Sequence, residues 1–340
     1  MPIEQEINGF RQKISELKKE ISGVIVGHNQ VVEQVIISIL AGGHSLMEGV
    51  PGIGKTLLVK SISQCLNLSF SRIQFTPDLM PGDITGTNII ADDPSGKKVF
   101  QFQPGPVFHN IILADEINRA TPKTQSALLE SMQEATVTIN GVKHQLPRPF
   151  LVLATQNPIE MEGTYPLPEA QLDRFFFKIM MKLPSLPEFN EIINRTTGES
   201  KTILKPMFSP DEITRAGQLL RQVPIASHLI EYTSKLVMAT HPQNEFSPAS
   251  VRKYVRYGAS PRGAQAIVLA AKANAIIQGR LNVAQEDIIN SAFPALRHRM
   301  ILNLEGETSG AAPDDIIREI TEKIPRVPEQ ISKMFSLTEP

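Results

Sequence analysis

At 340 residues, with 41% hydrophobic and 20% charged side chains, the chain is long enough for two ordinary domains and is composed like a globular protein. A formal net charge of −1 removes any global electrostatic case for binding nucleic acid or an anionic membrane. The single cysteine, Cys65, cannot form an internal disulfide, and no uncharged run approaches the ~20 residues that cross a bilayer, so a soluble, cytoplasmic protein is expected.

In chain order, the N-terminus is charged and amphipathic, unlike a signal peptide. Phe10, Ile14, Leu17 and Ile21 fall at helical spacing and predict a helix over 8–22. A second helix, "QVVEQVIISILAGG", stops at a double glycine. Short apolar runs then alternate with helical stretches: "SLMEG", "FSRIQF", "NIILADE", "FLVLATQN" and "FFFKIMMKL". Near-continuous hydrophobicity over five to eight residues suits strands covered on both faces of a parallel sheet, with helices between them. Two pieces interrupt this α/β rhythm. Residues 84–102 fold about the turn-forming "DDPSG", and residues 135–147 alternate around Asn140-Gly141, the strongest short hairpin signal.

After Leu183 the pattern changes, and no further strands are expected. "PSLPEF" marks an exit, giving a core over 1–185, a linker over 186–205 and an all-α domain over 206–340. Ser209-Pro210-Asp211-Glu212 has the spacing of a capping box, and Ser260-Pro261 opens a helix that Gly279 ends. Residues 284–292 and 312–324 read as further helices.

Gly49-Val50-Pro51-Gly52-Ile53-Gly54-Lys55-Thr56 lies between a predicted strand and a predicted helix, and with Leu57 it forms the expected nucleotide-binding stretch. Glycines let successive backbone N–H groups curl around phosphates, and the helix N-terminus adds partial positive charge. Lys55 is placed to reach the outer phosphates, and the Thr56 hydroxyl to hold Mg²⁺. The object this loop accommodates is a nucleoside triphosphate. About sixty residues later, four apolar residues lead into Asp115-Glu116 at the carboxyl end of a strand, where open α/β sheets bind ligands. Alone, such a pair reads as a surface turn; after a phosphate loop, Asp115 suits the Mg²⁺ shell and Glu116 the activation of water. Thr155, Gln156 and Asn157 end another strand, where a neutral amide could sense the γ-phosphate. No pairing among the seven histidines has metal-ligand spacing.

"GVPGIGKT", "LADEINRATPKTQSALLESMQE", "LATQNP", "LPEAQLDRFFFK" and "GASPRGA" together resemble the MoxR family of AAA+ ATPases over about residues 10–300. The resemblance implies an αβα nucleotide-binding core with two hairpin inserts, a helical lid and assembly into a ring, typically hexameric. It assigns Lys55 and Thr56 to Walker A, Asp115 and Glu116 to Walker B, and Asn157 to sensor 1. It makes Arg174 the arginine finger for a neighbour's nucleotide and Arg262 the sensor 2 arginine. Val26 and Gly27 match the adenine-contacting segment, with His28 where a glutamine is common. From the residues alone, Arg174 precedes a strand and should sit at the sheet edge, with a surface pair to Asp173 as the lesser alternative, and Arg262 is a cation in a first helical turn, where the dipole disfavours it unless phosphate is near. Arg119 is another candidate phosphate ligand, with pairing to nearby acids the preferred reading.

The expected function is Mg²⁺-dependent hydrolysis of ATP by a homo-oligomeric ring, coupled to chaperone-like remodelling of a separate protein that carries a von Willebrand factor A domain. Neither nucleic acid nor membrane insertion is expected. A nucleic-acid motor would need basic loops, and the 136–146 hairpin offers only Lys143 and His144. A nucleotide-gated scaffold with little turnover is disfavoured by an intact Glu116.

Overall fold

The computed structural model describes residues 3–92, 94, 96–157, 163–198 and 203–325. Asp93 and Ser95 of the first hairpin turn, Pro158, residues 199–202 of the expected linker and the chain beyond 325 lie outside the described residues. Two compact units emerge. One comprises Gln12–Phe175 and Ile179–Gln218; the other comprises Leu219 onward, the residues up to Arg11 and Phe176–Lys178.

The first elements are α1 (Ile3–Ser22), α2 (Asn29–Ala41), β1 (Ser45–Glu48), α3 (Lys55–Cys65), β2 (Phe70–Gln74) and α4 (Pro81–Thr85). The hairpin of β3 (Gly86–Asp92) and β4 (Lys98–Pro104) follows, then β5 (Ile111–Asp115), a 3-10 turn at Ile117–Arg119 and α5 (Pro122–Glu134). A second hairpin, β6 (Thr136–Ile139) and β7 (Val142–Gln145), precedes β8 (Leu151–Gln156), α6 (Glu169–Leu172) and β9 (Phe177–Met180). Five strands form one sheet in the order β2-β5-β8-β1-β9, with β2/β5, β5/β8 and β8/β1 paired in parallel. Every residue of β5 is buried, as its unbroken apolar run requires for a strand covered on both faces. The core around it includes Leu46, Phe75, Ile112, Leu128, Val152 and Phe175. Both expected hairpins form. Asn140 and Gly141 take φ +48° and +81°, the two positive values that a two-residue hairpin turn of matching twist needs. Cys65 is fully buried, and burial pushes its thiol pKa up to about 11, the inert state expected of a packed thiol.

The 186–205 segment is not a plain linker. It contains α7 (Leu186–Thr197), started by a capping box in which Glu188 accepts from both the backbone N–H and the hydroxyl of Ser185 at 2.7 Å. The chain then runs back along the nucleotide-binding unit: Lys205 N–H donates to Glu20 and Met207 N–H to the Cys65 carbonyl. α8 (Pro210–Gln222) begins at the predicted Ser209 cap, and the division between units falls within it, at 218/219, beyond the predicted 206.

The second unit is helical, with α9 (Ser227–Met238), α10 (Ala249–Tyr254), α11 (Pro261–Ile277), α12 (Gln285–Leu296), α13 (Leu304–Thr308) and α14 (Pro313–Lys323). Small residues on α11, among them Ala266, Ala270 and Ala273, are buried where it packs against α12. One departure from an all-α reading is a short antiparallel ladder between β10 (Val255–Tyr257) and β11 (Ile301–Leu302). Strands of two or three residues carry no periodicity to read.

Candidate active site

The sheet register brings the chemistry to one edge. Glu48 of β1 pairs with Gln156 of β8, and Asp115 of β5 with Gln74 of β2, so the phosphate loop, the acidic pair and Asn157 all leave the carboxyl ends of neighbouring strands. Between β1 and α3, Gly52 and Gly54 adopt φ +77° and +95°. A Cβ at either would meet nothing within 4 Å, so it is the left-handed backbone that asks for glycine, and the room above the loop is open. Gly49 differs: a Cβ there would come within 2.9 Å of the Met181 side chain.

Lys55 opens α3 and is only 9% exposed. Its Nζ donates to the Gly49 carbonyl at 2.7 Å, inside the loop. Burial lowers its pKa, while the carboxylates of Asp115, Glu116 and Glu48 act the other way. A buried cation facing acidic groups at the mouth of an open loop is an anion site whose counter-charge can be exchanged. Thr56 is half-buried in the same helical turn.

Asp115 is also 9% exposed. One carboxylate oxygen accepts from the Thr155 hydroxyl at 2.5 Å, and the other from Arg72. Glu116 takes φ +56°, a left-handed conformation uncommon for a residue with a side chain. Its N–H donates to the same Thr155 hydroxyl at 2.9 Å. Its Oε2 accepts from Gln74 at 2.8 Å and from Arg119 at 2.9 Å, so Arg119 forms the expected ion pair. Asn157 follows β8 and is buried.

Beside the loop is a cavity of about 450 Å³, enclosed by residues of the nucleotide-binding unit. Val50, Pro51, Gly52, Ile53, Gly54 and Leu57 form one wall. Val26 and His28 form a second, and Phe189 and Ile192 of α7 a third. His28 Nε2 is buried in this wall with no hydrogen-bond partner, and burial lowers the ring's pKa despite the nearby Glu188 carboxylate. Gly27 does not line this cavity. It sits at φ +68° against Glu188, whose Oε1 would lie 2.6 Å from a Cβ.

Arg174, half-buried between α6 and β9, donates to the Leu129 carbonyl of α5 at 3.3 Å. Arg262 is exposed in the first turn of α11, in the other unit, where its N–H donates to the Ser260 hydroxyl at 3.2 Å. The geometry thus gathers Lys55, Asp115, Glu116 and Asn157 at the carboxyl ends of neighbouring strands and sets Arg174 against the Leu129 carbonyl of α5. Arg72, Gln74, Gln125 and α7 escaped the sequence reading. Arg72 and Gln74 stand two apart on β2, a spacing whose meaning depends on the strand's partner.

Residues 44–177 match the model of the ATPase family associated with various cellular activities, and residues 248–320 match the AAA lid domain. The chain is 41% identical to the chaperone MoxR1 of Mycobacterium tuberculosis, over 94% of this chain and 82% of that protein. It is 28% identical to the protein MoxR of Methylorubrum extorquens, covering 95% and 98%. The crystal structure of a Cytophaga hutchinsonii protein, 41% identical, superposes with a TM-score of 0.89 over 96% of this chain and 98% of that one. A phosphate loop, an acidic strand end and a helical lid in this order, with these relatives, have one reading: the chain belongs to the MoxR family of AAA+ ATPases.

Proposed function

We propose that this ATPase works as a homo-oligomeric ring, hexameric as the family resemblance implies, and that it couples Mg²⁺-dependent ATP hydrolysis to remodelling a protein partner bearing a von Willebrand factor A domain. The observation that carries the catalytic part is the convergence of buried Lys55 with Asp115 and Glu116 beside a loop whose Gly52 and Gly54 border open space.

The triphosphate takes the place of the Gly49 carbonyl at Lys55 Nζ, and the base enters the apolar cavity between Val26 and α7. The buried, unpartnered His28 Nε2 gives that cavity a polar contact for a heterocyclic base. The donor chemistry suits Mg²⁺: a hard carboxylate in Asp115 and a hydroxyl in Thr56, with phosphate oxygens completing a shell that needs no all-protein cage. When bound, Mg²⁺ neutralises charge developing on the phosphoryl oxygens.

Glu116 orients water and takes its proton through Oε1, because Oε2 is held by Gln74 and Arg119. Asn157 fixes the outer phosphate, Arg174 of one subunit completes the site of the next, and Arg262 reads the phosphate from the lid. No described helix is long and apolar enough to cross a membrane.

The test is calorimetry and steady-state turnover on the purified protein. Turnover should require Mg²⁺ and vanish with EDTA. Lys55→Ala should weaken ATP binding by at least about tenfold, since the triphosphate loses a charge-assisted bond worth about 1.5–3 kcal/mol. Binding within about threefold of wild type would refute the loop assignment.

A further inference from the structure

Glu116 stands at φ +56°, a left-handed backbone conformation that persists only where its surroundings over-determine it. Thr155 holds its N–H from one side. On the other side is Gln125, in the first turns of α5, with no exposed surface. Its Nε2 donates to the carbonyls of Ile117 at 3.2 Å, Ala120 at 3.1 Å and Tyr165 at 2.9 Å. Two N–H groups are shared among three acceptors, all of them backbone, and the acceptors dictate which end of the amide faces them. Its Oε1 is buried without a partner, a cost accepted to keep the donors in place. A polar side chain buried this completely to fix three carbonyls is an anchor, and what it anchors is the turn that carries Glu116 and Arg119.

The third carbonyl widens the connection. Tyr165 N–H donates to the Asn118 carbonyl at 2.7 Å, so the Glu116 turn and the segment that runs on to Arg174 are joined by backbone and by the Gln125 amide together. One turn further along α5, the Leu129 carbonyl accepts from Arg174 itself.

We propose that Gln125 is a positioning residue for hydrolysis: its carboxamide fixes the 117–120 turn against the 163–165 segment and so sets where the Glu116 carboxylate stands. The proposal rests on the reading of Glu116 as the group that activates water. Gln125 touches neither nucleotide nor water, and its loss should leave binding of the triphosphate intact while the carboxylate drifts. A displacement near 1 Å costs about 100-fold in rate.

The test compares Gln125→Met, which keeps length and removes both donors, with Gln125→Asn, which keeps the donors but withdraws them by one methylene. Both are made in the full chain and titrated with the non-hydrolysable probe adenylyl imidodiphosphate. Affinity should stay within about threefold of wild type, while kcat falls by about 100-fold in Gln125→Met and by less in Gln125→Asn. In single turnovers, Gln125→Met added to Glu116→Gln should slow the reaction by no more than about threefold beyond Glu116→Gln alone, because both changes act through one group. A folded Gln125→Met with kcat within about threefold of wild type, or one whose affinity falls in step with its kcat, overturns the proposal. So does a double variant whose losses multiply. If Gln125→Met does not fold, Gln125→Asn decides by the same thresholds. Failure of the underlying reading looks different: Glu116→Gln itself would turn over normally.

Discussion

Arg72 donates from Nε and Nη2 to a single oxygen of Asp115, at 3.0 and 2.7 Å, while Thr155 holds the other oxygen. The same Nη2 also donates to Gln74 Oε1 at 2.6 Å, and the Gln74 amide continues to Glu116. Both carboxylates of the acidic pair are therefore tethered to β2.

A cation on Asp115 competes with the metal assigned to that carboxylate. Arg72→Met should therefore lower the Mg²⁺ concentration for half-maximal turnover. The arginine side chain is 47% exposed and screened by solvent, so the shift should be modest, about threefold. A rise of that size would mean that Arg72 supports the metal site instead of opposing it.

His44, immediately before β1, gives the fold a pH dependence. Its Nδ1 accepts from the Val152 N–H at 2.9 Å and its Nε2 donates to the Met132 carbonyl at 3.0 Å, which requires a neutral ring. Burial outweighs the Met132 bond and pushes its pKa from 6.5 to about 4. Below pH 6.5 the unfolded chain binds a proton that the folded chain refuses. Stability is thus complete above that pH and is lost progressively towards pH 4, by about 3 kcal/mol in all. Burial also lowers His28, which adds in the same direction. Urea unfolding should show wild type losing stability between pH 7 and 5, with a shallower slope in His44→Phe; equal slopes would contradict the assignment.

An active site completed by a neighbour's Arg174, as proposed, predicts rescue between two dead proteins. Arg174→Ala should bind ATP yet lose roughly 10³ to 10⁵ in rate, the contribution of an arginine supplied across an interface. Glu116→Gln should be inactive for a different reason. Mixed, an Arg174→Ala subunit keeps its own Glu116 and can receive Arg174 from a Glu116→Gln neighbour, so activity returns. A mixture as inactive as its parts, with subunit exchange shown by fluorescence transfer, would place Arg174 in its own subunit's site.

Much of the fold was legible because its signals are local. β5 and β8 announce themselves as unbroken apolar runs, and Asn140-Gly141 as a turn that few other residues can make. Pro184 and Pro187 give the start of α7 the look of a linker, although Ser185 and Glu188 carry the spacing of a capping box. The β10/β11 ladder is too short for any period. Within the site, Lys55, Asp115 and Glu116 are written in motifs. Arg72 and Gln74 matter only because β2 lies beside β5 in the register that sets Gln74 against Asp115, and Gln125 only because α5 carries it back under the Glu116 turn. Pairing across a sheet and burial beneath a turn are tertiary facts that no spacing encodes.

The proposed mechanism turns on Glu116 activating water against a triphosphate held by the loop at Lys55. A single-turnover experiment with γ-labelled ATP on wild type and Glu116→Gln tests it most directly. The substitution keeps size and hydrogen bonding while removing the base. Glu116→Gln should retain ATP with affinity near wild type and leave it intact, its rate reduced by about 100-fold or more. Phosphate release by Glu116→Gln at the wild-type rate would move the base that activates water to another residue.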